Sequence, residues 1–87
     1  MLSMQTPKKL KIFKRYKNLS GDSKVARYEI SKDAMTIIFS DSSVYRYTNQ
    51  SADPGNISKM KLLALAGKGL GTFIDANVKD RFLRKIR

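Results

Sequence analysis

The side chains of this sequence that could do chemistry are mostly cations, and they gather in two runs. Lys8, Lys9, Lys11, Lys14, Arg15 and Lys17 follow one another with no carboxylate between them, and Arg81, Arg84 and Arg87 recur every third residue near the other end. A cationic run without interleaved acids has no internal counter-charge, and its natural use is to meet a polyanion and release that partner's condensed counterions. The bland alternative is a solvated charge run. Contact with six to eight phosphates would give a steep salt dependence, a log–log slope of about −5 to −7. Arg27 and Arg46 fall in strand-like runs, where they make either a phosphate-binding sheet face or an ordinary solvated face paired to Glu29. Lys68 lies in Gly67-Lys68-Gly69-Leu70-Gly71-Thr72, which superficially resembles a phosphate loop. It lacks the spacing of a nucleotide-hydrolysing loop and no strand leads into it, so it reads first as a tight turn. Exposed amides beside Lys68 leave one phosphate as its second use. Tyr45 and Tyr47 have two readings: a platform for unstacked bases, or core.

What is missing closes whole classes of chemistry. There is no His, Cys or Trp, which excludes a Cys/His zinc site, a disulfide framework, a cysteine nucleophile and a histidine-based triad. The seven carboxylates are scattered, with no pair at an evident acid/base spacing. The expectation is a protein that is not an enzyme and holds no metal or cofactor. The longest unbroken apolar run is Leu62 to Ala66, so nothing reads as a membrane span or a signal peptide, and the cytoplasm is the default compartment. Binding to a membrane surface would need a longer apolar face than Leu10, Ile12, Phe13 and Tyr16 provide. The formal charge is +11 over 87 residues, at a pI near 10.2.

The elements that must position these groups follow from turns and periodicity. Residues 1–7 lack any period and end on Pro7, and Lys8 to Lys17 is too short for a stable isolated helix, so it reads as an arm or an edge segment. Asn18 to Asp22 is a turn. Three strand-like runs follow, Lys24–Ile30, Ala34–Ser40 and Ser43–Thr48, separated by short polar turns as antiparallel hairpins require. In the first run Ala26, Tyr28 and Ile30 share a face, with Val25, Arg27 and Glu29 opposite. A three-residue loop at 41–43 sets Phe39 against Tyr45 and Ile37 against Tyr47. That gives one apolar face of Tyr28, Ile37, Phe39, Tyr45 and Tyr47, which favours the core reading of both tyrosines. After a loop over 49–56, Asp53-Pro54 starts a helix, with Asn56 as an alternative cap. The glycines from Gly67 end it. A second helix is expected from about Asp75, with Ile74, Val78, Phe82, Leu83 and Ile86 in one arc and Arg81, Arg84 and Arg87 in another.

The stretch Ser23 to Phe82 resembles the KTSC domain, a small module found at the C-terminus of some lysyl-tRNA synthetases and as a stand-alone protein. The resemblance is carried by Ser23, Val25 and Tyr28, then Met35-x-Ile37-x-Phe39, then Tyr45-x-Tyr47. It continues through Ala66-x-x-Gly69-x-Gly71, Phe73-Ile74-Asp75 and Val78 to Phe82. This chain departs from the pattern in having no glycine in Asp41-Ser42-Ser43, and in having Gly69 for Ser and Asp75 for Asn. The resemblance implies an RNA-associated module, which favours RNA over DNA.

The expected architecture is α+β: a three-stranded antiparallel β-meander followed by two short helices, with a basic N-terminal arm over 1–19 and the KTSC-like domain over 20–87. The leading function is a small basic RNA-binding module without catalysis. A protein-interaction factor is the alternative, such as a phage- or mobile-element-type inhibitor docking on the nucleic-acid surface of a host nucleoprotein.

Overall fold

Polar turns cut the chain into short extended pieces, and the computed structural model, which describes residues 13–87, pairs them into one sheet. Its strands are β1 (Lys14–Arg15), β2 (Val25–Ile30), β3 (Ala34–Phe39), β4 (Val44–Thr48) and β5 (Arg84–Lys85). All neighbours are antiparallel, in the order β1-β2-β3-β4-β5. The helices are α1 (Asn49–Ala52), α2 (Pro54–Ala66) and α3 (Leu70–Phe73), the last running into a π-helical turn over Ile74–Val78. The α+β class and the central meander are as expected, but the sheet has five strands rather than three.

Both extra strands come from the basic ends. β1 sets Lys14 against Tyr28 and Arg15 against Arg27, and the Tyr16 amide donates to the Ala26 carbonyl at 2.9 Å. Lys8, Lys9 and Lys11 lie outside the described residues. At the other end the second helix expected from about Asp75 is not formed as such: helical winding begins at Leu70 instead. The coil ends after Val78, and the chain crosses back so that β5 sets Lys85 against Tyr45 and Arg84 against Arg46. The Leu83 amide donates to Arg46 and the Ile86 amide to Val44, at 2.6 and 2.7 Å. The edge of β4 decides this: its free amides and carbonyls would otherwise lie unpaired, and the extended tail satisfies them while Phe82 reaches Tyr45.

Two registers differ from expectation for identifiable reasons. At the β3–β4 hairpin the Phe39 amide donates to Ser43 and the Ser42 amide to Phe39, both at 2.9 Å, so the loop is 40–42. Ser42 takes the left-handed position at φ 74°, as a three-residue hairpin needs. Ile37 therefore faces Tyr45 and Met35 faces Tyr47, one full pleat from the expected pairing, and the apolar face survives because the shift is two residues. In β2 the pairing slips between Val25 and Arg27, a bulge at Ala26. The bulge turns Val25 inward, so it is buried beside Tyr28 instead of facing solvent.

The helices cover one face. Thr48 caps α1 reciprocally: its hydroxyl accepts from the Ser51 amide and the Ser51 hydroxyl accepts from the Thr48 amide, both at 3.0 Å. This turn replaces part of the expected loop. α2 starts at Asp53-Pro54 as expected, buries Ile57, Met60 and Ala64, and ends at Gly67, whose φ of 76° needs glycine. These side chains pack on Tyr28, Met35, Ile37 and Tyr47 from the sheet, with Leu70, Ile74 and Val78 closing the end.

Candidate nucleic-acid interface

Strand alternation sends every second side chain of the sheet away from the helices. Two rows cross this outer face. One runs Arg15, Arg27, Ile38, Val44 and the other Glu29, Thr36, Arg46, Arg84, each neighbour facing the next across the strands. Among the described residues no helix lies over this face. Arg15, Arg27 and Arg84 are exposed and Arg46 is half-buried, its Nη1 donating to the Thr36 hydroxyl at 3.0 Å. A shallow apolar cleft of about 370 Å³ runs between the arginines, lined by Phe13, Thr36, Ile38, Val44, Ile86 and Arg87. Glu29 brings the single carboxylate of the two rows, and its Oε1 is sealed without a hydrogen-bond partner among the described residues.

The structure thus divides the cations singled out in the sequence. Arg15, Arg27, Arg46, Arg84 and Arg87 come together on the outer face, drawn from both ends and the centre of the chain. Lys14 points to the opposite side, beside Tyr28 and Leu65 at the sheet edge. Lys17 lays its stem against Gly67, where a methyl group on the glycine would stand 2.6 Å from the Lys17 Cβ. Lys68 is exposed on the helix side. Arg81 leaves the expected arginine stripe altogether: because the helix stops at Val78, its guanidinium reaches Asp53 at 3.2 Å, an exposed pair. Phe13, Ile38, Val44 and Ile86 line the cleft of this face and are not among the site residues expected from the sequence. Their signal was the period-two pattern Arg84-x-Ile86 and Thr36-x-Ile38.

Two other candidate sites lie away from this face. Tyr47 is 1% exposed and Tyr45 half-buried, both under the helices, so neither offers a stacking platform on the outer face. Three amides of the glycine turn are occupied: Gly67 donates to Leu63 and Ala64, Lys68 donates to Leu63, and Leu70 donates to the buried Tyr16 hydroxyl at 3.1 Å. Gly71 packs against Ser23, whose Oγ would stand 2.9 Å from an added Cβ. The turn is a packing device between β1 and α3.

Among the described residues no helix is long and apolar enough to cross a membrane. Comparison with family models, with curated proteins and with solved structures finds no match to this chain.

Proposed function

We propose that this protein is a small, non-catalytic, cytoplasmic RNA-binding module that holds the phosphate backbone across the outer face of its sheet. One observation carries the reading. Arg15 stands directly opposite Arg27, and Arg46 directly opposite Arg84. Like charges paired across strands destabilise a sheet, by a few tenths of a kcal/mol when exposed. Two such pairs on one face, with a single acid between them, make sense when a polyanion supplies the missing charge. Guanidinium groups also suit phosphate better than ammonium groups do, through bidentate hydrogen bonds. The choice of RNA over DNA rests on the resemblance of Ser23–Phe82 to the KTSC domain.

The test is a binding titration with single-stranded RNA at several salt concentrations. Arg15, Arg27 and Arg84 are replaced together by Gln, leaving Arg46 in place because it partners the buried Thr36. The expected outcome is weaker binding to every sequence, a log–log salt slope shallower by about 2, and a melt that is slightly raised because both like-charge pairs are gone. A control carrying Lys59→Gln, Lys61→Gln and Lys68→Gln on the helix side keeps most of the slope. Equal effects of the two variants would mean diffuse electrostatics and no interface.

A second reading has its own observation. Leu62 and Leu65 on α2 are 65% and 56% exposed. An apolar strip of that kind suits a protein partner, as an inhibitor docking on a nucleoprotein would require.

A further inference from the structure

On the helix side, at the hairpin end of the sheet, three rings meet edge to face and open a cleft. Tyr45 lies 5.6 Å from Phe39 at an interplanar angle of 81°, and 4.8 Å from Phe82 at 67°. Phe82 in turn stands 6.4 Å from Tyr47 at 88°. The cleft measures about 470 Å³, within the range of roughly 300–1,000 Å³ usual for small-molecule sites. Its rim carries Asp41, Asp75 and Asp80, three of the seven acids in a chain of charge +11, together with Lys24 and Lys79. Among the described residues no three acidic side chains cluster so as to hold a metal ion.

The floor gives an independent sign of a ligand. Tyr47 is 1% exposed, and its ring lines the cleft. Its hydroxyl has no hydrogen-bond partner among the described residues, and it is not one of the sealed polar atoms, so it opens to the cleft. A buried phenol ordinarily finds a partner for its hydroxyl. Burial first, then the charges of Tyr45, Asp75 and Asp80, push its pKa up to about 12, so the hydroxyl stays a proton donor at any physiological pH. Asp41 is already engaged, its Oδ1 accepting from the Ser43 amide and hydroxyl at 2.9 and 2.6 Å. Asp75 and Asp80 are exposed.

We propose that this cleft takes one unstacked guanine of a bound single-stranded RNA. The flat ring enters among Phe39, Tyr45 and Phe82, its N1–H and N2–H donate to the carboxylate of Asp75 or Asp80, and the Tyr47 hydroxyl donates to a ring acceptor. Guanine is the base whose pairing edge offers two adjacent donors to one carboxylate, the bidentate match that a uracil, with a single donor between carbonyls, does not make. Lys24 and Lys79 stand where the flanking phosphates would run. An arginine side chain from a partner protein presents similar donors, but a basic partner is repelled by a net +11, whereas a nucleic acid is drawn in by it and brings its bases along. The proposal rests on the RNA-binding reading of the outer face.

The experiment compares three short single-stranded RNAs at one salt concentration: oligouridine, and the same strand with a central guanosine or a central adenosine. The wild-type protein is expected to bind the guanosine strand about tenfold tighter than plain oligouridine, with adenosine gaining less. The Asp75→Asn/Asp80→Asn variant loses the guanosine gain, and Tyr47→Phe loses part of it, with circular dichroism spectra unchanged. The Arg15/Arg27/Arg84 variant binds all three strands more weakly and keeps the guanosine preference. RNA binding without a guanosine preference, or an equal gain from adenosine, overturns the cleft proposal and leaves the outer-face reading standing. Failure of all three RNAs to bind overturns both.

Discussion

Tyr16 and Tyr47 share a residue type and a degree of burial, yet they work by different physics. The Tyr16 hydroxyl accepts the Leu70 amide, so it ties β1 to the start of α3 and satisfies an amide that the left-handed Gly69 would otherwise leave pointing at nothing. Tyr47 lies over Met35 with its hydroxyl at the cleft. That burial has a measurable consequence. The folded-state pKa of Tyr47 is raised from 10.0 to about 12. Its neutral form is favoured by folding, so its contribution is fully present below pH 10 and is lost as pH rises toward 12. Wild type is therefore expected to lose about 1–2 kcal/mol across that window beyond any loss seen in Tyr47→Phe, measured as urea unfolding at stepped pH. Identical alkaline profiles for the two proteins would place the Tyr47 hydroxyl in water. At the acid end, the Ser43 hydroxyl and amide hold the Asp41 carboxyl below its ordinary value, which keeps the hairpin tip hydrogen-bonded into mild acid.

Among the elements, the β3–β4 hairpin carries backbone strain that a single substitution can relieve. Ser42 occupies a left-handed position at φ 74°, which glycine adopts without the Cβ penalty. Replacing Ser42 by Gly is expected to stabilise the domain by about 0.5–1 kcal/mol in a thermal melt; a loss of stability would show that the Ser42 side chain makes a contact worth more than its strain. The same hairpin shows how far local pattern reaches. The three central strands were legible because apolar residues alternate and polar turns bound them, and α2 was legible from Pro54 at its start and Gly67 at its stop, although the Asp53 side chain makes no capping hydrogen bond and pairs with Arg81 instead. The register was one pleat off because a three-residue loop can be cut at 40–42 or 41–43 with the same faces. The Ala26 bulge was hidden because alternation fits equally well without it. The C-terminal tail was misread for a deeper reason. Phe82, Leu83 and Ile86 suit a helical arc as well as an edge strand, and what decides between them is the open edge of β4, a tertiary fact absent from the tail's own sequence. That misreading also scattered the candidate site: the stripe of Arg81, Arg84 and Arg87 dissolves once the helix stops, and Arg84 joins Arg46 instead.

At the scale of the molecule, the two basic ends are brought to flank a nearly neutral centre. β1 and β5 are the two edges of the sheet, and they deliver Arg15 and Arg84 to either side of Arg27 and Arg46. The sequence showed where the cations were concentrated but could not show that edge pairing would gather five arginines on one face and send Lys14, Lys17 and Lys68 elsewhere. The arrangement leaves the sheet self-repelling on one side and apolar on the other, and the outer face is where the proposed anionic partner would relieve the repulsion. The central claim is thus about location, and location can be read directly. Amide and arginine side-chain resonances are followed in a two-dimensional NMR titration with single-stranded RNA. The largest shifts are expected at Arg15, Arg27, Ile38, Val44, Arg46 and Arg84, with α2 from Ile57 to Ala66 almost unmoved. Shifts concentrated on α2, with Arg27, Arg46 and Arg84 silent, would contradict the account.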